Sequence, residues 1–162
     1  MPVESSPRIL VDVETLLVNE ARAMDDHDYD GWIDLWAEDL LYWIPCDGQD
    51  FDPHRHVSIA YDDRETLERR VARLKGKHAF SQRPQSKLLR SLSNIAIVQI
   101  SDQEIVAVST FVLGEVRNGV QAIYMGRNEY ILIRDGEKLR IKQKKVLLLN
   151  ADVALNNLTF LL

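Results

Sequence analysis

The sequence predicts an α+β fold, in which three N-terminal helices pack on a curved, mainly antiparallel sheet. Apolar residues recur at intervals of three and four in the first part of the chain, and Ile- and Val-rich segments replace this pattern from Leu88 onward. Asn118-Gly119 and Asp135-Gly136, two dipeptides that favour tight hairpin turns, interrupt these segments. Helices followed by hairpin-linked strands are the order of an α+β domain. With 162 residues and no repeat or linker, one domain over residues 1–162 is expected.

Two amphipathic helices are predicted first, at residues 8–26 and within residues 29–36. Ser6 suits the N-cap of the first helix and Pro7 its first position, because proline has no backbone N–H to leave unpaired. Apolar side chains on one face define both helices: Leu10, Val13, Leu17, Ala21 and Met24 in the first, and Tyr29, Trp32, Ile33 and Trp36 in the second.

A third helix is predicted over about residues 63–75. Asp62 followed by Glu65 can form a capping box, and Gly76 is placed for a left-handed stop. Arg70 lies beside the apolar stripe of this helix. An arginine is costly to bury unless a carboxylate or carbonyl meets its donors. We therefore expect Arg70 in a buried ion pair or at an interface, with plain solvent exposure as the alternative.

The remaining apolar segments predict strands. Residues 106–108 and 111–112 are apolar at consecutive positions, so both faces of the sheet would be apolar there. Such a sheet usually curls around a helix or docks onto another subunit. The predicted strands are Leu40–Pro45, Ile95–Ile100, Ile105–Val116, Val120–Arg134 and Lys138–Leu149, with a short terminal strand at Leu158–Leu162.

Composition excludes several classes of protein. Twenty-five acidic against 20 basic residues give a net charge of −5, which argues against binding to nucleic acid. The basic stretch from Lys138 to Lys145 is then expected to be a solvated or salt-bridged strand face. No apolar run approaches the ~18 residues that would indicate a membrane span. One cysteine, Cys46, excludes a disulfide within the chain and fits the cytoplasm.

The chain offers few ligands for a metal. The densest group is the segment 50–56, in which Asp50, Asp52, His54 and His56 could in principle hold non-haem iron. A solvated loop is the favoured interpretation, because Pro53 and the charged neighbours suit an exposed turn. A Rieske cluster needs two cysteines and two histidines, and this chain has a single cysteine. That cluster cannot be built here.

Four side chains could serve as general acids or bases in a pocket: Asp39, Tyr42, Tyr61 and His78. The simpler interpretation is that Asp39 turns the chain before a strand, Tyr42 packs and His78 lies on a loop. No spacing among them is diagnostic, so the simpler interpretation is favoured. Cys46 is expected to be a packed or idle thiol, because nothing nearby in sequence would lower its pKa.

An ordered set of motifs along the chain resembles the β subunits of aromatic-ring-hydroxylating dioxygenases. It begins with Glu20-Ala21 and continues through Trp32, Leu35 and Tyr42-Trp43-Ile44-Pro45. Phe80 and Gln85 depart from the family pattern, where tryptophan and proline are common, and these departures bear on the substrate subgroup more than on the family. The most specific part comprises Asp62-Asp63, Leu67, Arg70-Val71, Arg73-Leu74, Pro84, Ser86, Arg90 and Asn94-Ile95, followed by Phe111, Gly126-Arg127 and Lys144-Lys145.

This resemblance implies a cone-shaped fold like that of nuclear transport factor 2. It also implies an α3β3 hexamer, in which a trimer of β chains supports α subunits that hold the Rieske cluster and the mononuclear iron, with electrons from NAD(P)H. No catalytic, cofactor or metal residue is expected in this chain. The residues implied as structural or interface positions are Arg70, Arg73, Pro84, Ser86, Arg90, Asn94 and Arg127.

Two other functions remain open from the residues alone. A self-contained dehydratase or isomerase of the same fold would need a closed polar pocket containing Asp39 or His78 and would act on a small apolar ligand. A non-enzymatic binding module would instead have the interior of the cone filled by side chains.

Overall fold

The computed structural model describes residues 7–46, 52–76, 84–149 and 159–162. Within these ranges, helices pack on a six-stranded sheet, which confirms the α+β prediction. In chain order the elements are α1 (Pro7–Asp25), α2 (Tyr29–Ile33), β1 (Trp36–Pro45), β2 (Ser58–Asp62), α3 (Arg64–Lys75), β3 (Lys87–Ile100), β4 (Glu104–Arg117), β5 (Val120–Asp135) and β6 (Lys138–Leu148).

The sheet is mixed and mainly antiparallel, as predicted. Its strands lie in the order β2-β1-β6-β5-β4-β3, and only the β1–β6 pair of these described strands is parallel. Both hairpin predictions are confirmed. Asn118 and Gly119 have positive φ values of 52° and 76° between β4 and β5, and Gly136 has a φ of 62° between β5 and β6. These turns fix the register of three long strands.

The second helix is shorter than predicted. It ends at Ile33, and Trp36 is the first residue of β1. Trp32 and Trp36 are four residues apart, a spacing that also fits one face of a helix, and this led to the wrong prediction. In the structure the chain turns between α2 and β1, and the turn brings the two rings together. The ring centroids of Trp32 and Trp36 are 5.3 Å apart, and both rings meet Tyr42 edge-on. The first helix is confirmed with Pro7 at its start, whereas Ser6 lies outside the described residues.

Two details of the third helix were predicted wrongly. Its N-cap is Asp63, whose carboxylate accepts the Thr66 N–H at 2.9 Å, and Asp62 belongs to a strand that the sequence did not predict. That strand, β2, has only five residues, too few for a clear alternation. Gly76 ends the helix with a φ of −66°, so the left-handed stop is wrong.

The segment Thr159–Leu162 is not a strand; the predicted Leu158 lies outside the described residues. Instead it packs into the core with the inner face of the sheet. Phe160, Leu161 and Leu162 are 6 %, 3 % and 2 % exposed. The apolar pattern of these residues therefore correctly indicated burial. The residues are buried, however, without pairing with a neighbouring strand.

Candidate assembly surface and sheet interior

One face of the sheet, here called the outer face, points away from α1 and carries exposed apolar side chains. Cross-strand register places Val112 beside Met125 of β5, and Gly114 between Leu89 of β3 and Ile123 of β5. Leu89 and Ile123 are 75 % and 62 % exposed. We call the following residues the outer patch: Leu89, Val112, Val116, Ile123, Met125 and Leu149.

The outer patch follows from the composition of β4. Its inward residues, such as Phe111 and Leu113, are buried in the core, while their neighbour Val112 points to the opposite face and is 47 % exposed. A contiguous apolar surface of this kind usually marks a contact with another protein. A groove of about 380 Å³ runs along its edge between Met125 and Leu149. The chain therefore presents a face that suits association.

Two of the predicted positions, Asn94 and Arg127, lie on the outer face beside this patch. Asn94 sits where the β3–β4 register shifts, with a positive φ of 51°, and its side-chain amide donates to Thr110 Oγ1 at 3.2 Å. Arg127 is exposed and stands directly opposite Thr110 in β5. They form a polar border next to the groove.

Ser86 and Arg90 lie inside the chain instead. The Ser86 hydroxyl donates to Glu115 at 2.6 Å, and its carbonyl bonds the His27 ring at 2.8 Å. The Arg90 side chain is 3 % exposed, pairs with Asp25 through its guanidinium and donates to a carbonyl of the segment Thr159–Leu162. These contacts tie β3 to the end of α1, so both residues support the fold.

Arg70 forms the ion pair that its position predicted. Its Nε and Nη2 donate to the two Asp62 oxygens at 2.5 and 3.1 Å, and the Asp62 side chain is only 5 % exposed. This hydrogen bond to the carboxylate raises the pKa of Arg70. The pair fastens α3 to β2. Arg73 and Pro84 are exposed.

The interior holds a charged pair that the sequence pattern did not predict. Lys144 of β6 and Glu20 of α1 are each 1 % exposed, with Nζ 2.7 Å from Oε1. Glu20 also accepts from the Trp32 indole at 3.3 Å and from the Tyr130 hydroxyl at 2.9 Å. A buried carboxylate with three donors is well satisfied, which makes its burial tolerable. The sequence did contain a sign that Glu20 is buried, because Glu20 lies on the apolar stripe of α1, three residues after Leu17.

Burial governs the titration of this cluster. Desolvation lowers the pKa of Lys144, although the nearby Glu20 carboxylate partly opposes that shift. Desolvation and the same carboxylate raise the pKa of Tyr130 well above 10. A cavity of only about 10 Å³ remains beside the cluster. The interior of the cone is thus closed and tightly filled.

The acid–base candidates do not converge on that cavity. Tyr42 is buried, but Asp39 is exposed and Tyr61 stacks edge-on against Trp43; none of the three lines the cavity. His78 lies outside the described residues.

The metal candidates lie in an exposed turn. The His54 N–H donates to Asp52 at 3.0 Å, and His56 is exposed; Asp50 lies outside the described residues. Over the ranges that the structure covers, no three His, Cys, Asp or Glu side chains are grouped as a metal site would need. Cys46 is half-buried and directly follows β1. The favoured loop interpretation agrees with the exposure of this segment.

Carboxylates neutralise much of the charge of the basic stretch from Lys138 to Lys145. Lys142 pairs with Glu104 at 2.7 Å, and Arg140 with Asp135 at 3.1 Å, so the salt-bridged interpretation of these residues is confirmed. Lys145 lies over the Trp43 ring, 4.4 Å from its centroid. None of the described helices is long and apolar enough to span a membrane.

Comparison with known proteins gives a consistent picture. A model of the ring hydroxylating β subunit family matches residues 19–154. The 2-halobenzoate 1,2-dioxygenase small subunit of Burkholderia cepacia is 32 % identical over 145 residues, covering 86 % of this chain and 88 % of that protein. The solved β subunit of benzoate 1,2-dioxygenase from Burkholderia mallei superposes with a TM-score of 0.78 at 24 % identity, covering 94 % and 97 % of the two chains.

A similar fold is also found in a protein that is not named as a dioxygenase subunit. A scytalone dehydratase-like protein from Novosphingobium aromaticivorans superposes with a TM-score of 0.61 at 12 % identity, over 86 % of this chain and 83 % of that one. The cone-shaped fold like that of nuclear transport factor 2, which the family resemblance implied, is confirmed by these neighbours.

Proposed function

The chain belongs to the family of ring-hydroxylating dioxygenase β subunits, and we propose that it is the assembly subunit of an oxygenase whose reacting metals lie in a larger α subunit. As a small subunit it is part of a multi-component oxidoreductase that acts in the catabolism of aromatic compounds. A small subunit implies association with a large one.

The side chains that could bind a metal in this chain support placing the metals in the α subunit. A Rieske cluster requires two cysteines and two histidines, and the full sequence contains only Cys46. The mononuclear iron of such enzymes needs converging histidine and carboxylate side chains. Of the described histidines, His54 and His56 lie in an exposed turn, and the His27 ring bonds the Tyr29 hydroxyl and the Ser86 carbonyl. The whole sequence therefore lacks the thiols for the cluster, and the described residues hold no group of three His, Cys, Asp or Glu side chains that could bind the iron.

The observation that carries the proposal is the outer patch. Its side chains are apolar and exposed on the adjacent strands β3, β4 and β5 and at Leu149 beside β5, with Asn94 and Arg127 at the border. An apolar centre with a polar rim is the usual composition of a stable protein interface. We assign this face to contact with other subunits and keep Arg73 and Pro84 as further interface candidates.

Val112 and Val11 provide a matched test. Both are exposed valines, 47 % and 57 % respectively, but Val112 lies in the outer patch and Val11 on the free side of α1. The chain should be co-expressed with an α subunit containing the two Cys/His pairs. We expect Val112→Lys to reduce the co-purified complex at least tenfold and Val11→Lys to leave it unchanged. Equal recovery of the complex with both variants would contradict the assignment of this face.

We further propose self-association as a trimer within an α3β3 hexamer in the cytoplasm. Light scattering on the complex should then give equal numbers of the two chains, and the isolated β assembly should have three times the 18.6 kDa chain mass. A strictly monomeric β chain inside the complex would refute this stoichiometry.

The substrate class is inferred from the similar proteins and not from the structure. Relatives of about one-third identity act on halogenated benzoates and anthranilate, as their names state. We therefore propose an aromatic carboxylate as the substrate of the complete oxygenase, and a panel of benzoates against biphenyl and benzene would test it. The dehydratase alternative gains no support from the exposed Asp39.

A further inference from the structure

The groove at the edge of the outer patch, here called the outer groove, lies between two rows of outward side chains. In one row, Arg127 of β5 stands between Thr110 of β4 and Leu147 of β6. The other row contains Met125, two residues back along β5, whose carbonyl accepts the Leu149 N–H at 2.8 Å. Alternate residues of a strand point to the same face, so the two rows flank a channel on that face. Its volume is about 380 Å³.

The floor of the outer groove is formed by the row between these two, which faces inward. Gly126 of β5 has no side chain, and its cross-strand neighbours Phe111 and Leu148 are 4 % and 3 % exposed. No side chain of this row therefore fills the groove from below. Because the floor belongs to three paired strands, the groove is preformed and does not need a rearrangement before a partner docks.

The walls of the outer groove are apolar on one side and cationic on the other. Met125 and Leu149 are 39 % and 79 % exposed, although both are large apolar residues. Arg127 lines the opposite side and is also exposed. A groove with this lining fits a large apolar side chain that has a negative charge beside it.

Arg127 has no carboxylate partner among the residues that the structure describes. Arg70 and Arg140 each form an ion pair, whereas Arg127 forms none with the described carboxylates. Glu129 follows on the same face, but it stands opposite Lys145 of β6. A guanidinium group donates two parallel hydrogen bonds to a carboxylate, which makes this the anion that best matches its geometry.

The described surface of this chain offers no second apolar patch that could fill the outer groove of a neighbouring copy. Copies around a threefold axis contact each other through two different surfaces, so such a copy would have to present one. The exposed large apolar side chains outside the outer patch lie on α1, near or on β2, on β3 and on β5: Val11, Val57, Tyr61, Val98 and Val120. This distribution favours a different chain as the occupant.

We propose that the outer groove is the docking site for a segment of the α subunit that carries a large apolar side chain and an Asp or Glu side chain on one face. The apolar side chain lies between the two rows, in contact with Met125 and Leu149. The carboxylate accepts from the guanidinium of Arg127. This inference rests on the proposed association of the outer patch with other subunits, and it specifies the subunit and the chemistry of the contact.

Charge reversal in the complex co-expressed with the α subunit is the first test. Arg127→Glu places a negative charge against the carboxylate, and we expect at least tenfold less co-purified complex. Arg127→Met keeps the length of the side chain without its charge and should give a smaller loss. Arg134→Glu is the matched control, because Arg134 is an exposed arginine of the same strand that points to the opposite face. We expect it to leave the recovery unchanged.

The second test identifies the partner carboxylate. A carbodiimide joins a lysine amine to an adjacent carboxylate as an amide, with loss of water and without a spacer. In the Arg127→Lys complex we expect a new cross-link, mapped by mass spectrometry, from position 127 to an Asp or Glu of the α subunit. Arg134→Lys should give no such product. Replacing the cross-linked α residue by arginine should restore most of the complex that Arg127→Glu loses.

Equal recovery of the complex with Arg127→Glu and Arg134→Glu would overturn this inference. If Val112→Lys still lowered the recovery in that case, the assignment of the outer patch would stand and only the docking chemistry would be wrong. A cross-link from position 127 to the same chain or to a second copy would assign the groove to another occupant and would also overturn the inference. The same holds if position 127 gives no cross-link in an intact complex.

Discussion

Lys144→Met should destabilise the chain by about 3 kcal/mol, because it leaves a buried carboxylate without its cation. Glu20 and Lys144 are each 1 % exposed and 2.7 Å apart, so solvent screening gives little relief. Removing one partner of a buried pair costs about 3–5 kcal/mol. The lower end applies here, since Glu20 keeps the Trp32 and Tyr130 donors. Methionine matches lysine closely in length, which limits the cavity contribution.

Urea unfolding at fixed protein concentration measures this loss. With a slope of about 2 kcal/mol per M, a 3 kcal/mol loss lowers the midpoint by about 1.5 M. The double variant Glu20→Gln/Lys144→Met is the control, because a neutral amide keeps hydrogen-bonding capacity toward Trp32 and Tyr130. We expect it to recover most of the loss. A midpoint lowered by less than about 0.5 M in Lys144→Met, or a double variant less stable than the single one, would refute the buried-pair reasoning.

Three further perturbations test other parts of the structure. Arg70→Ala should lower the free energy of unfolding by about 2–3 kcal/mol, because it leaves the buried Asp62 carboxylate in β2 unpaired. The control is Arg69→Ala, which removes an exposed ion pair and should cost about 0.5 kcal/mol or less. Thermal unfolding measures both, and equal losses would place Arg70 effectively in solvent. Gly126→Ala should cost about 2 kcal/mol, because a Cβ there collides with a β6 carbonyl oxygen and an aromatic ring of β4. Gly114→Ala, whose nearest atom would be 4.0 Å away, should be nearly neutral, and the reverse order of the two glycine variants would contradict this packing of β4, β5 and β6. Burial raises the pKa of Tyr130, so the folded state holds a proton that the unfolded state releases above about pH 10; stability should therefore fall as pH rises from about 10.5 to 11.5, and less steeply in Tyr130→Phe.

Long strands and hairpins could be predicted because their signals are local. Asn118 and Gly119 adopt positive φ values wherever they form a tight turn, so the dipeptide alone locates the β4–β5 hairpin. Most of the elements that were missed or misplaced are short, although the long strand β3 also begins at Lys87, well before the start predicted at Ile95. β2 spans five residues, and the start of β1 at Trp36 was hidden by a spacing that also fits a helix. Short segments take their conformation from neighbours that are distant in sequence.

The candidate site divides in the same way. Arg70 could be singled out because its position beside an apolar stripe creates an energetic requirement visible in the sequence. Its partner Asp62 could not be identified, since the sequence suggested a cap for that residue. Lys144 was assigned to a basic strand face because its neighbours alternate. The register shift between β5 and β6 instead turns it inward to Glu20.

The sequence by itself determined the α+β order of elements, the hairpins, the family resemblance and the absence of the thiols that a Rieske cluster requires. These depend on residue identity and near neighbours, which a linear chain displays directly. Only the tertiary structure decided which charges are buried together, that Phe160–Leu162 fill the interior, and that Leu89, Val112 and Ile123 share one exposed face. Those facts depend on strand register and on contacts between residues more than 100 positions apart, such as Glu20 with Lys144 and Tyr42 with Leu162. Local propensity does not specify such pairings, because many registers satisfy the same alternation until the whole core is packed.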